Sequence, residues 1–301
     1  MLIRPEYLKK GDQVGLAAPA RSVNEERILF AEEILHSWGL KTVRSPNLSG
    51  NHNQFSATIE QRLSDFQEFM DSPDIKAILC AGGGYGSIQI IDNISLRYFT
   101  KYPKWIVGFS DITIFHSALV KEGYVSIHAS MPVKFDTTEE SKESVLSIKN
   151  ALFGDLKSYK IESYIDNIPG IAAGKLIGGN LSILTSLLGT RYELDYKGNV
   201  LFIEEVDEYL YHIERMMYSL KLSGKLQEIS GLIVGSFTKV HDNEIPFGKN
   251  EKEIILDMVE EYDYPVMFDF PAGHDDLNNA LYLGSEVRLE VKTDNSCLTF
   301  L

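Results

Sequence analysis

Two hydrophobic periods share the first half of this chain. Val14-Gly-Leu-Ala-Ala-Pro19 and Trp105–Val107 are short continuous apolar runs, and Ile75–Ala81 is one broken only by Lys76, the pattern of strands buried on both faces. Between them, apolar residues recur at helical spacing. Ile28, Leu29, Ala31, Ile34 and Leu35 predict a helix over Asn24–Trp38, closed by Gly39. Leu63, Phe66 and Met70 predict another over Ser56–Asp71. Lys41–Arg44 reads as a weak strand, Asn47–Phe55 as a polar loop, Ser87–Ile94 as helical and Val125–His128 as a strand. Strand alternating with helix predicts an α/β domain: an open, mainly parallel sheet flanked by helices.

The pattern changes after a helix predicted over Thr137–Phe153. Residues 154–171 carry no sustained period and are expected to link an N-terminal domain (1–153) to a C-terminal one (172–301). In the second domain, Lys175–Gly189 reads as strand, glycine turn and apolar helix, and Val200–Glu204 as a strand before a helix over Glu208–Leu226. Strands at Leu232–Phe237, Val266–Phe268, Leu281–Leu283, Glu286–Val291 and Cys297–Phe300 surround a helix over Lys249–Tyr262. This is a mixed strand/helix domain.

Composition narrows the partners. Among 301 residues, 44% are hydrophobic and 24% charged, ordinary for a globular chain with two cores. A formal net charge of -14 argues against nucleic acid or an anionic membrane as the main partner. No run approaches the roughly 18 apolar residues of a membrane span, and the N-terminus lacks a signal peptide's apolar core, so a cytoplasmic location is expected. Cys80 and Cys297 read as reduced thiols. Without H-E-x-x-H, a cysteine pair or close histidine spacing, neither a metal nor a cofactor is expected.

Four places could carry chemistry. In Trp105-Ile-Val-Gly-Phe-Ser-Asp-Ile112 a strand meets a helix through Gly108, which lifts Ser110 to a helix start where N–H groups favour negative charge. That is the logic of a nucleophile elbow without its second glycine; the alternative is that Ser110 is only an N-cap. Gly82, Gly83, Gly84 and Gly86 follow a strand and could cradle a phosphate, donate N–H groups to an oxyanion, or simply turn. No Lys-Ser/Thr follows them, which weakens the reading as a non-catalytic nucleotide-binding module. Glu204 and Glu205 end a strand, where carboxylates commonly meet a ligand crevice. His274 lies in the turn-rich Phe270–Asn279; His128 ends a strand, and His116 falls inside an apolar helix on the wrong face for Ser110. Ser110, Glu204 and His274 follow the serine, acid, histidine order of α/β hydrolases.

Six stretches together resemble the LD-carboxypeptidase family of serine peptidases. They are Leu8–Pro19, Gly83–Ser87, Lys104–Thr113, Gly178–Ser182, Phe202–Glu208 with Tyr211 and Arg215, and Gly273-His274. The resemblance implies an active site between the two domains, with Ser110 as nucleophile, His274 as general base then acid, and Glu204 orienting His274. It also implies an oxyanion hole from the backbone of Asp111 with Gly84 and Tyr85, and substrate contacts from Gly83 and Arg215. The implied reaction is hydrolysis of the L–D amide bond before the terminal D-alanine of murein tetrapeptides, in peptidoglycan recycling. The alternative within the same chemistry is a peptide-nucleotide antibiotic of the microcin C type, or another amide. A small peptide partner and a homodimer are expected. The chain departs from the family pattern at Gly82, where Arg is usual, at His128-Ala-Ser-Met131, and at Tyr282, where proline is common.

Overall fold

The computed structural model describes residues 2–301. By compactness the chain falls into two units. One holds residues up to Leu156 together with Asn278–Tyr282, the other Lys157–Leu277 with Leu283–Leu301.

The first unit contains β1 (Gln13–Ala17), α1 (Glu25–Ser37), β2 (Lys41–Arg44), α2 (Ile59–Asp71), β3 (Ile75–Cys80), β4 (Trp105–Gly108), α3 (Thr113–Lys121), β5 (Ser126–His128) and α4 (Glu139–Phe153). Local chemistry sets the helix starts. Asn24 accepts from the Glu26 N–H, Thr58 and Gln61 form a reciprocal capping box, and Thr138 accepts from the Ser141 N–H. β1 pairs in parallel with β2 and β3, β3 with β4, and β4 with β5. Trp105, Ile106 and Val107 of β4 are wholly buried, as a central strand covered on both faces requires.

The second unit contains β6 (Ser158–Glu162), β7 (Gly170–Asn180), α5 (Leu181–Ser186), β8 (Val200–Val206), α6 (Leu210–Leu222), α7 (Lys225–Glu228), β9 (Gly231–Thr238), α8 (Glu251–Val259), β10 (Val266–Met267), then, after β11 (Leu281–Leu283), β12 (Glu286–Val291) and β13 (Asn295–Phe300). Its sheet runs β10-β9-β8-β7-β12-β13-β6. The β10-β9-β8-β7 half is parallel, and the β7-β12-β13-β6 half antiparallel. Glu204, Glu205 and Ser236 lie toward the C-terminal ends of the parallel strands, where open α/β sheets bind ligands.

The structure differs from the expectation in five places, one of them the helix expected over Glu208–Leu226, which breaks at Gly224 into α6 and α7. β6 lies within 154–171, expected to be a linker, as an edge strand whose one-sided polar alternation carries little hydrophobic signal. β11, assigned by pattern to the second domain, sits beside β5 in the first sheet. Its neighbours tie it there: the Ala280 N–H donates to Ser147 Oγ and Tyr282 Oη to the Ala151 carbonyl. Ser87–Ile94 is not a helix but two short 3-10 turns, Ser87–Gln89 and Ile91–Asn93; four β-branched isoleucines in eight residues disfavour a continuous α-helix. Gly178 and Gly179 are not a turn but the end of β7; a Cβ on Gly178 would strike the Phe202 carbonyl of β8. Among the described residues, no helix is long and apolar enough to cross a membrane.

Candidate active site

Ser110 is placed by strain rather than by capping. β4 ends at Gly108, where a Cβ would come within 2.9 Å of Ile112 and 3.2 Å of Cys80, so the turn can tighten only around glycine. Ser110 follows at φ 62, the left-handed region that costs a non-glycine residue about 1–2 kcal/mol. It opens a 3-10 turn, Ser110–Ile112, that runs into α3, and no side chain caps that start. The N-cap reading of Ser110 therefore fails. His116 on α3 braces the elbow from below. Its Nε2 donates to the Gly108 carbonyl at 2.8 Å and its Nδ1 accepts from Ser126 Oγ at 2.9 Å, while burial lowers its pKa to about 4. It is a neutral core histidine.

The glycine loop abuts this elbow. A Cβ on Gly83 would meet Ser110 Cβ at 3.2 Å. The backbone N–H groups of Asp111, Gly84 and Tyr85 have no acceptor among the described residues. Two buried charges fix the loop's far end. The Asp111 carboxylate accepts from the Ser87 N–H at 2.7 Å, and Arg62 donates to the Gly86 carbonyl at 3.0 Å. Burial raises the Asp111 pKa against the bonds from Ser87 and Gly86. Sequence reading named Asp111 for its backbone only and missed Arg62, an arginine on a predicted helix with nothing in its neighbours to mark it as buried.

In the second unit Glu204 and His274 meet. His274 Nδ1 donates to Glu204 Oε2 at 2.6 Å; the carboxylate is fully buried and the imidazole 12% exposed. Successive strand residues normally face opposite sides, yet Glu204 and Glu205 are both buried. β8 is buried on both faces from Val200 to Glu205, so carboxylates facing opposite sides are both enclosed, and the β8–β9 register shifts between Ile203 and Glu205. Glu205 turns instead to Asn180 Nδ2 at 2.8 Å and the N–H groups of Ser182 and Val206 at 2.7 and 2.9 Å. Burial, then the neighbouring charge of Glu204, raises its pKa to about 7.

A glycine again permits the approach. Gly273 has φ 131, and a Cβ there would collide with Ser236 Oγ and lie 2.9 Å from Glu204 Cβ. The loop carrying His274 is fastened along β9: Phe270 N–H to Val234 O, Ser236 N–H to Ala272 O, and Asp275 N–H to Ser236 Oγ. Ser236 was not singled out from sequence; a lone serine at a strand end carries no distinguishing signal. A cavity of about 440 Å³ lies beside the loop, lined by Ser236, Asp269 and Asp275 among others. Arg215 is exposed on α6, its guanidinium 5.3 Å from the centre of the Tyr211 ring. His128 is buried, edge-on to Phe109. Among the described residues no group of three metal-ligating side chains gathers.

Two family models match the chain: LD-carboxypeptidase N-terminal domain over residues 14–129 and LD-carboxypeptidase C-terminal domain over 173–289. A probable murein peptide carboxypeptidase of Bacillus subtilis is 34% identical over 95% of this chain and 91% of its own. The microcin C7 self-immunity protein of Escherichia coli is 26% identical over 97% of this chain and 94% of its own. The crystal structure of muramoyltetrapeptide carboxypeptidase from Oxalobacter formigenes superposes with a TM-score of 0.87 at 27% identity, covering 96% of this chain and 98% of that one.

Proposed function

Since the chain belongs to the LD-carboxypeptidase family, we propose that it is a serine carboxypeptidase cleaving the L–D amide bond before the terminal D-alanine of murein tetrapeptides. The observation that carries this reading is the Glu204–His274 pair. A buried carboxylate that accepts from Nδ1 leaves Nε2 as the basic nitrogen and stabilises the imidazolium formed when that nitrogen takes a proton.

In the reaction we envisage, Nε2 of His274 removes the proton of Ser110 as its Oγ attacks the scissile carbonyl. Ser110 is suited to this by the elbow, where it takes a left-handed φ and caps no helix start. The oxyanion is received by the Asp111 N–H and by that of Gly84 or Tyr85, donors with no other acceptor among the described residues. His274 then protonates the departing D-alanine nitrogen, and water, activated by the same imidazole, hydrolyses the acyl-Ser110 ester. Glu204 acts through His274 and touches no substrate. Gly83 lies against Ser110, and Arg215 is an exposed residue of α6; both are retained as substrate contacts in this reading.

The likeness to the self-immunity protein over 97% of the chain favours one second reading, a peptide-nucleotide amide as substrate. Mass spectrometry of each substrate incubated with the protein separates them. A tetrapeptide that loses one D-alanine with the parent, and not with Ser110→Ala, is the expected result. An intact tetrapeptide after prolonged incubation with the parent refutes the first reading.

A further inference from the structure

A carboxypeptidase must recognise a free terminal carboxylate, and the bonds of the substrate say where. The carboxylate carbon is three bonds beyond the scissile carbonyl carbon, within about 4.3 Å of it along the chain. With the scissile oxygen held at the glycine loop, the carboxylate falls within a residue's length of that loop. A cation there would complete the site.

Two cationic side chains touch the loop. Arg62 is spent: its guanidinium donates to the carbonyls of Ala57, Pro19 and Gly86 and to Gln89 Oε1, and it is wholly buried. Arg21 differs in each respect. Its stem runs along Gly84, so that a Cβ on Gly84 would strike Cδ and lie 2.6 Å from Nε. Its side chain is exposed, and its guanidinium has no hydrogen-bond or ion-pair partner among the described residues. Its backbone is nonetheless held on both sides. The Arg21 N–H donates to the Gly83 carbonyl at 3.3 Å, and residues 20–22 pair with 54–56 through Ser56 N–H to Ala20 O and Ser22 N–H to Gln54 O. Position 82, a glycine packed against Val23, supplies no charge.

We propose that Arg21 is the specificity-determining residue that binds the substrate's terminal α-carboxylate, an inference that rests on the carboxypeptidase reading above. The planar fork of an arginine suits a carboxylate, which it can hold by two parallel N–H donors. Gly84 serves the guanidinium by its missing side chain, which leaves the Arg21 stem room to pass.

The test separates binding from turnover. In the Ser110→Ala background, calorimetry compares a murein tetrapeptide ending in D-alanine with its C-terminal carboxamide. The acid should bind on the order of tenfold or more tighter, the range of one charge-assisted hydrogen bond. Adding Arg21→Gln should abolish that preference, and adding Arg21→Lys should restore part of it, with unchanged melting temperatures. An equal preference with and without Arg21, or no preference in Ser110→Ala itself, overturns the proposal. D-Alanine release by the parent is measured separately. Its absence overturns the carboxypeptidase reading, whereas the affinity ratio alone judges Arg21.

Discussion

Replacing Glu204 with glutamine keeps the shape of the side chain and removes its charge. The structure allows two outcomes for the new amide. If its oxygen still accepts from His274 Nδ1, the NH2 group occupies the place of Oε1, which is buried and has no hydrogen-bond partner among the described residues. Two buried donors then go unpaired, and stability falls by about 1–3 kcal/mol. If the amide turns over, its NH2 faces Nδ1. Nδ1 must then accept, the ring proton moves to Nε2, and that nitrogen can no longer take the Ser110 proton. In either orientation the imidazolium loses a carboxylate at 2.6 Å. Coulomb's law with an effective dielectric of about 20 puts that attraction at roughly 6 kcal/mol, or about four powers of ten in rate. We expect kcat for D-alanine release to fall about 10⁴-fold in Glu204→Gln, with KM little changed because Glu204 does not touch substrate. Steady-state assays beside thermal melts separate the two effects. A folded variant within tenfold of the parent's kcat would refute the role of this pair.

Three further substitutions probe the rest of the site. Ser110→Gly should stabilise the fold by about 1 kcal/mol, because it relieves the left-handed φ of 62, while abolishing turnover; a lower urea midpoint would count against strain at the elbow. Gly273→Ala should lose most activity and some stability, since its Cβ would press on Ser236 and Glu204 and shift His274; parental kcat would show that the loop has slack. Glu205→Gln tests the raised carboxyl pKa of about 7 against its ordinary 4.5. The folded state holds this proton more tightly than the unfolded chain, so the Glu205 contribution is full below pH 4.5 and is lost as pH rises through 7. Parent-minus-variant stability, from urea unfolding between pH 4 and 8.5, should therefore decline over that window and then level; a difference that grows with pH contradicts the sign.

Several residues of the proposed site stand out in the chain itself. The continuous apolar run at Trp105–Val107 followed by Gly108 can satisfy its neighbours only as a buried strand leading into a sharp turn, so Ser110 stands out from local pattern. Strand alternating with helix implied the parallel sheet. His116 was read from its helical face as lying away from Ser110, in the core or at an interface, and its two buried hydrogen bonds put it in the core. What pattern could not supply were facts that depend on chain segments far apart in sequence. The irregularity beside Glu204 and Glu205 lies in the β8–β9 register, and register is a property of two strands. The resemblance had already paired Glu204 with His274; apolar pattern alone could not, because their 2.6 Å contact spans 70 residues. β11 joins the first sheet because Tyr282 and Ala280 find their hydrogen-bond partners on α4, more than 130 residues earlier. Arg21 and Arg62 look alike as sequence. Only the packed loop makes one a buried clamp on four acceptors and leaves the other exposed beside Gly84, because burial is decided by what folds over a side chain and not by the side chain itself.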